Sequence, residues 1–295
     1  MVKVAIDIGT NTLLMLIQTE LNEYINVHRI ARMGEKLHST GFISEQAVDR
    51  ACKILDEYYE LLHDFGTYSL CVVGTAALRN ASNSKSITDK LTQHIHAPIE
   101  IISGDEEAMY TFLGTIENEE LSVVIDVGGG STEIVLGTKK SGIEWRNSFP
   151  LGAVTFTEQF HDKENKSTLV QEKVFNELRT IPIEIQKTIV SAKYVYANAG
   201  TPTTIAAVAQ KLETYDESKV QNYEIEYDAL SKFEQLFHSM TVDELRSIVG
   251  VHPDRADILP AGTSILKSIF EFFPLKSCLV STKGLRYGVI HSIKN

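Results

Sequence analysis

VAIDIGTNT (residues 4–12) decides the fold class, because a closely related phrase, VVIDVGGGSTE, returns at residues 123–133. Each phrase is an apolar run that ends in an aspartate, Asp7 or Asp126, and continues into a glycine turn with hydroxyl side chains. A buried strand would carry the carboxylate to one edge of a sheet, and glycine lets backbone amides approach an anion closely. We therefore expect a duplicated α/β architecture whose two turns face each other as a phosphate clamp.

The predicted order of helices and strands supports the duplication. The first half is predicted as three strands followed by helix, strand, helix, strand and helix, and the second half opens with three strands again. The second half adds helices within residues 152–189 and 228–273, and residues 212–227 are predicted to be irregular. A Gly-Thr pair ends a strand in both halves, Gly74-Thr75 and Gly200-Thr201, and we take the two pairs as equivalent. The predicted domains are residues 1–119 and 120–295, with the last helix a candidate to pack back on the first domain.

Composition excludes several classes of protein. With 43% hydrophobic and 23% charged residues, the 295-residue chain has a globular composition. Its formal net charge of -11 argues against binding to nucleic acid or to an anionic membrane. No stretch reaches the apolar length of a membrane span, and the N-terminus does not resemble a signal peptide, so a cytoplasmic protein is expected. The three cysteines and nine histidines form no zinc or redox motif.

The phrase DVGGGSTE is the most specific local motif. Three successive glycines are entropically costly in a plain hairpin, so Gly128, Gly129 and Gly130, followed by Ser131, indicate a bound group. The motif lacks the GKS or GKT ending of a Walker A loop. DIGTNT is weaker by itself, because its residues are ordinary turn formers, and it gains weight only from the second copy.

The segment ISGDEEA (residues 102–108) places three acidic residues at a strand-to-helix junction. If Ser103 is the N-cap, Glu106 is at position N3 and completes a capping box. Asp105 then complements the helix dipole. Glu107 is the carboxylate left without a local structural role, and spacing alone leaves it open between a general base and a solvated helix start.

Two arginines are candidate phosphate ligands. Arg79 follows a strand end, and its planar set of donors suits phosphate oxygens, although a surface arginine would fit the same pattern. Arg255 lies in HPDRAD (residues 252–257) and could instead pair with the adjacent acids.

With these motifs in order, the chain resembles the exopolyphosphatase and guanosine pentaphosphate phosphatase (Ppx/GppA) family of the actin, Hsp70 and sugar kinase superfamily. The resemblance runs over nearly the whole chain and rests on these phrases: AIDIGTNT, VGTAALRNASN, IEIISGDEEA, VVIDVGGGSTEIVLG, SFPLGAVTFTEQF, NAGTPTTIAAVA, HPDRADILPAG and KGLRYGVI. It implies an α/β fold of two actin-like (ribonuclease H-like) domains, each a mixed five-stranded sheet with flanking helices, around an interdomain cleft.

The resemblance also implies roles for particular residues. Glu107 would be the catalytic base, and Asp126 and Glu133 would place a divalent cation, usually Mg²⁺, with Asp7 as a further candidate. The expected phosphate-binding residues are Gly9, Thr10, Asn11, Thr12, Arg79, Gly128, Gly129, Gly130, Ser131, Gly200, Thr201 and Arg255.

Two departures from the family pattern bear on the substrate. Many members have a basic residue where this chain has Leu14, so one cationic contact is absent. Longer members carry further C-terminal helical domains, whereas this sequence ends with the second actin-like domain, so an extended groove for long chains would come from a homodimer or be absent.

The expected function is hydrolysis of the terminal phosphoanhydride of inorganic polyphosphate or guanosine pentaphosphate, which would link the protein to the stringent response. Two alternatives stay open: an ATP-dependent kinase or ATPase on the same fold, and a noncatalytic sensor of guanosine tetraphosphate or pentaphosphate. The first would require a purine pocket and would release ADP in the presence of an acceptor. The second would bind nucleotide tightly and release no phosphate.

Overall fold

The computed structural model describes residues 1–293, which form two compact units. The first unit comprises Met1–Gly114 together with the C-terminal segment from Leu285, and the second comprises Thr115–Gly284. The sequence-based boundary at residues 119/120 therefore lies a few residues late. The last helix, named above as a candidate to pack back on the first domain, belongs to the first unit and packs against its first two strands.

The first unit contains a five-stranded sheet in the order β3-β2-β1-β4-β5. β1 pairs antiparallel with β2 and parallel with β4, so the sheet is mixed. Its strands are β1 (Val2–Ile8), β2 (Thr12–Gln18), β3 (Tyr24–Ile30), β4 (Tyr68–Gly74) and β5 (Ile99–Ile101). Its helices before residue 116 are α1 (Leu37–Thr40), α2 (Glu45–Leu62), α3 (Ala76–Asn80), α4 (Ser84–Ile95) and α5 (Gly104–Thr115), with a 3₁₀ turn at His63–Phe65.

The second unit repeats this sheet and adds one strand. Its strands are β6 (Ser122–Val127), β7 (Thr132–Thr138), β8 (Gly142–Phe149), β9 (Tyr194–Asn198), β10 (Glu224–Glu226) and β11 (Ser277–Val280). Their order is β10-β11-β9-β6-β7-β8. Read from β8 to β11, the sheet has the same order and strand directions around β6 as the first sheet has around β1.

The prediction of five strands in the second domain was wrong, because β10 lies inside the segment predicted to be irregular. β10 has one apolar residue, Ile225, between two glutamates, and it pairs antiparallel only with β11 at the sheet edge. Three residues with a single apolar position carry no readable period. Tertiary pairing, rather than local pattern, makes this segment a strand.

The helices of the second unit are α6 (Ala153–Gln159), α7 (Lys166–Leu178), α8 (Ile183–Ser191), α9 (Gly200–Ala209), α10 (Glu217–Val220), α11 (Tyr227–Ser239), α12 (Val242–Arg246) and α13 (Leu259–Phe272), with a 3₁₀ turn at Pro253–Arg255. The last helix, α14 (Leu285–Ser292), follows in the first unit. In residues 1–293 no helix is both long and apolar enough to cross a bilayer.

Each central strand is buried on both faces. Val4, Ile6 and Ile8 of β1 pack in one apolar cluster with α2 and α4, while Ala5 faces a cluster that includes α14. A strand covered on both faces reads as a continuous apolar run rather than as an alternation. This burial explains the near-uniform apolar composition of both duplicated phrases, and the repeated mixed sheets confirm the predicted fold class.

Candidate active site

In the first unit, backbone hydrogen bonds join the carboxyl ends of three neighbouring parallel strands. Thr75 N–H donates to the Ile8 carbonyl at 3.2 Å, and Ile102 N–H donates to the Gly74 carbonyl at 3.0 Å. The segments that follow β1, β4 and β5 therefore start side by side. This edge is where open α/β sheets place their ligands.

The first glycine turn is held from behind by the loop that follows β3. Gly9 N–H donates to the Thr12 carbonyl at 3.0 Å, which closes the turn. The Thr10 carbonyl accepts from Gly34 N–H at 2.8 Å, and the Asn11 carbonyl accepts from Arg32 N–H at 2.9 Å. Because C=O and N–H point to opposite sides of a trans peptide, the N–H groups of Asn11 and Thr12 point away from this loop.

The second glycine turn repeats the arrangement with a helix as its support. Gly128 N–H donates to the Ser131 carbonyl at 2.9 Å. The carbonyls of Gly128 and Gly129 accept from the first residues of α6, Ala153 at 3.0 Å and Val154 at 2.9 Å. The same peptide geometry turns the N–H groups of Gly129 and Gly130 away from α6. Successive amides that point in one direction form a nest suited to an anion.

Two glycines that the sequence reasoning missed make these supports possible. A Cβ atom on Gly34 would lie 2.2 Å from Thr10 Cγ2, and one on Gly152 would lie 2.3 Å from the Gly129 carbonyl oxygen. Both distances are far below van der Waals contact. A side chain at either position would therefore displace the supporting loop or helix from its glycine turn. The turn motifs gave no signal for these partners, because they lie more than twenty residues away along the chain.

The capping box predicted at the start of α5 is present. Glu106 N–H donates to Ser103 Oγ at 3.2 Å, and Ser103 N–H donates to Glu106 Oε2 at 2.8 Å. Glu106 is thereby committed to the helix terminus. Glu107, the next residue, takes no part in the cap through its side chain.

Glu107 instead faces Arg79, on α3. Arg79 Nη1 donates to Glu107 Oε2 at 3.0 Å and to the Ile102 carbonyl at 2.9 Å. The side chain of Glu107 is 14% exposed, and burial raises the pKa of its carboxyl, against the opposing effect of the Arg79 charge. The structure thus brings the two residues named as base and phosphate ligand into direct contact.

In the second unit, Asp126 and Glu133 lie directly opposite each other on β6 and β7. Opposed residues in a ladder share a face, so the two carboxylates repel, and a divalent cation between them would relieve that repulsion. Glu133 is 2% exposed, and its Oε1 accepts from Ser148 Oγ at 2.6 Å. A buried carboxylate beside a second carboxylate is a donor set suited to Mg²⁺, which takes oxygen ligands.

Asp7 has different neighbours in its own sheet. The residues opposite Asp7 are Leu14 on β2 and Val73 on β4, so its register neighbours are apolar. Leu14, the residue noted above as replacing a basic one, thus holds the position that Glu133 holds in the second unit. Within residues 1–293, no group of three or more histidines, cysteines and acidic residues forms a metal cluster.

Gly200, Thr201 and Arg255 come together at the start of α9. A Cβ on Gly200 would lie 2.1 Å from Arg255 Nη1, so glycine lets the guanidinium lie against the helix terminus. Thr201 is 7% exposed, and a Cβ on Gly262 of α13 would meet its Oγ1 at 2.1 Å. Thr201 is therefore a packing residue between two helices as well as a residue of this turn.

The assumed equivalence of the two Gly-Thr pairs was wrong by one position. In the first unit Val73 pairs with Asp7, so Gly74 lies one residue after the partner of the aspartate. In the second unit Asn198 pairs with Asp126, so Gly200 lies two residues after that partner. Sheet register, which local sequence does not contain, decides this alignment. Asn198, which pairs with Asp126 and corresponds to Val73 of the first unit, was not singled out from the sequence.

Comparisons with known proteins agree with this architecture. A family model described as the Ppx/GppA phosphatase family matches residues 20–295. Exopolyphosphatase 2 of Mycobacterium tuberculosis is 29% identical over 290 residues, which cover 90% of this chain and 88% of that protein. A solved structure of the Aquifex aeolicus PPX-GPPA enzyme is 27% identical, with a TM-score of 0.80 and coverage of 99% of both chains.

Other relatives are much longer than this chain. The guanosine-5'-triphosphate,3'-diphosphate pyrophosphatase of Vibrio parahaemolyticus is 28% identical, and the match covers 98% of this chain but 58% of that protein. A bifunctional 3-dehydroquinate synthase/phosphatase of Fusobacterium nucleatum is 29% identical, and the chain spans 46% of its length.

Proposed function

The chain belongs to the Ppx/GppA phosphatase family, and from this premise we propose that it hydrolyses the terminal phosphoanhydride bond of inorganic polyphosphate, guanosine pentaphosphate or both. The two relatives named after these activities are an exopolyphosphatase and a guanosine-5'-triphosphate,3'-diphosphate pyrophosphatase. The products would be orthophosphate and a chain shorter by one phosphate.

The single observation that carries the proposal is the position of Glu107. It follows a completed capping box, so the helix terminus does not require its carboxylate. It is instead largely buried beside Arg79. A general base must be held in place and kept from full solvation, and both conditions are met here.

In the proposed reaction, Glu107 takes a proton from a water molecule whose oxygen attacks the terminal phosphorus. The bond between that phosphorus and its bridging oxygen breaks, and the electron pair leaves with the shortened chain. Burial raises the pKa of Glu107, which strengthens it as a base, while the charge of Arg79 opposes that rise.

Arg79 would also bind the phosphate that is transferred. Its two hydrogen bonds to Glu107 and Ile102 both use Nη1. A guanidinium carries five N–H donors, so the groups on Nε and Nη2 suit phosphate oxygens. One arginine would thus orient the base and the phosphoryl group together.

The remaining negative charge of the substrate would be neutralised in two ways. The amides of Asn11, Thr12, Gly129 and Gly130, directed by the backbone bonds described above, would bind phosphate oxygens. Asp126 and Glu133 would hold a divalent cation, whose charge would neutralise phosphate oxygens during the transfer. Local compensation of this kind reconciles a polyanionic substrate with a net charge of -11.

The test is phosphate release by purified Glu107→Gln from short polyphosphate, long polyphosphate and guanosine pentaphosphate with Mg²⁺. We expect at least a roughly hundredfold loss of turnover with an unchanged fold, the usual scale for a general base. Glu106→Gln is the matched control: it weakens the cap of the same helix and should keep most of the turnover. Full activity of Glu107→Gln would contradict the assignment. Formation of ADP from ATP with an acceptor would favour a kinase.

A further inference from the structure

Four polar side chains form a row across the second sheet at the level of Asp126. Register places Ser148 opposite Glu133, Glu133 opposite Asp126, and Asp126 beside Asn198 on β9. Residues that oppose each other in a sheet share a face, so the row lies on one face of the sheet. In the first unit the four corresponding positions on β3, β2, β1 and β4 hold His28, Leu14, Asp7 and Val73. Three of the four oxygen-bearing side chains are therefore particular to the second unit.

Asn198 is the buried end of this row. It is 1% exposed, and its Nδ2 donates to Thr115 Oγ1 at 2.8 Å and to the Lys283 carbonyl at 2.6 Å. Both partners accept hydrogen bonds, which fixes which end of the carboxamide is nitrogen. The amide oxygen is then directed to the other side. Among the described residues, Oδ1 is buried and has no hydrogen-bond partner.

A buried amide oxygen without a partner is unfavourable, so its retention indicates a group that binds there. The side chains of Asn198 and Asp126 border the same small space. A Cβ on Gly284 would lie 3.0 Å from Asn198 Nδ2 and 4.0 Å from Asp126 Oδ2, so both side chains approach one point beside this backbone. Glycine at position 284 leaves that point open.

We propose that Asn198 supplies, through Oδ1, an uncharged oxygen ligand to the divalent cation held by Asp126 and Glu133. This inference rests on the cation named in the proposed function and adds a residue to it. Two carboxylates and one carboxamide balance the charge of a divalent ion without a third negative group. Oxygen donors of this mixed kind are the ones that Mg²⁺ accepts.

The experiment measures cation binding without any phosphate substrate. Mn²⁺ is titrated calorimetrically into the chelator-treated full chain, and the metal-induced rise in unfolding temperature is recorded in parallel. Asn198→Ala should weaken Mn²⁺ binding by about tenfold or more, the scale for losing an ordered metal-site partner. Thr115→Val is the matched control, because it removes one partner of Nδ2 and leaves Oδ1 in place. Its Mn²⁺ affinity should stay within about twofold of the unchanged chain, well below the expected loss.

Asn198→Asp distinguishes the contribution of the side-chain oxygen to cation binding from that of the nitrogen. It also provides a test if the alanine variant does not fold. It keeps an oxygen at Oδ1 but loses the donor to Thr115 Oγ1 and to the Lys283 carbonyl. Retained or tighter Mn²⁺ binding by this variant supports the proposal. Equal loss in the aspartate and alanine variants, unchanged affinity of Asn198→Ala, or no Mn²⁺ binding by the unchanged chain would each overturn it. Since no substrate is present, a protein that binds Mn²⁺ through Asn198 yet releases no phosphate would refute only the hydrolase proposal.

Discussion

Ala199 has a backbone conformation that only glycine adopts easily. Its φ is 75° and its ψ is -167°, in a region that is nearly closed to residues with a Cβ. The residue joins Asn198, fixed by two hydrogen bonds, to Gly200, which lies against Arg255. The Ala199 carbonyl also accepts from Thr203 Oγ1 at 2.9 Å. Bonds on both sides therefore hold the peptide in place, and the strain persists.

We predict that Ala199→Gly stabilises the protein. Such a conformation costs about 1–3 kcal/mol for a residue other than glycine. The substitution also makes the unfolded chain more flexible, which costs about 0.4–1 kcal/mol. The net gain is then about 0.5–2 kcal/mol, and at about 2–4 °C per kcal/mol for a unit of this size the unfolding temperature rises by about 1–8 °C.

The assay is thermal and urea unfolding of the full chain, with Ala192→Gly as the matched control. Ala192 follows α8 with φ -60° and ψ 139°, an ordinary extended conformation. The same chemical change there brings the entropic cost, about 0.4–1 kcal/mol, and also removes a methyl group that packs against the core, so it should lower stability. If Ala199→Gly lowers stability as much as Ala192→Gly does, the backbone at residue 199 is not strained and the reasoning fails.

Two further predictions concern the second unit. Gly200→Ala places a Cβ 2.1 Å from Arg255 Nη1, so the guanidinium must move. We expect the KM for polyphosphate to rise about tenfold, with a smaller change in kcat. An unchanged KM would argue against Arg255 as a phosphate ligand. Burial lowers the pKa of His238, so the unfolded chain binds a proton first, and the free energy of unfolding should fall as pH drops below about 6.5. Urea unfolding between pH 7 and 5.5 should show this loss reduced in His238→Gln and unchanged in His161→Gln, an exposed control.

Sequence patterns predicted the parts of the fold that depend on interactions between residues close together in the sequence. The strand Tyr68–Gly74 and the N-cap of α2, where Ser44 accepts from Ala47 N–H at 3.3 Å, both depend on residues close together in the sequence. The Ser103 and Glu106 capping box was predicted from a spacing of three residues, because both partners lie in one helical turn. Duplication of the aspartate and glycine phrase indicated the repeated architecture, and the family resemblance implied the actin-like fold class.

Pairing between distant segments accounts for what the sequence did not reveal. β10 is a strand only because it pairs with β11, more than fifty residues later. The polar row at Asn198 depends on the register of β6 against β9, and the Arg79 contact with Glu107 joins residues 28 apart. Such contacts leave no period in the local sequence, since neither partner needs the other for its own secondary structure.

The two copies of the duplicated phrase have kept the same backbone and diverged in their side chains. In both units a residue two positions after the aspartate closes the turn, and the carbonyls of the turn are bound from behind. Around that common turn, the first unit carries Arg79 and Glu107, whereas the second carries the oxygen-bearing row of Glu133, Asp126 and Asn198. Under the proposed function, two phosphate-binding turns would require the same peptide geometry twice, whereas one base and one cation would suffice for the hydrolysis. Divergence at the level of Asp7 and Asp126 is therefore where the two halves would acquire their separate tasks.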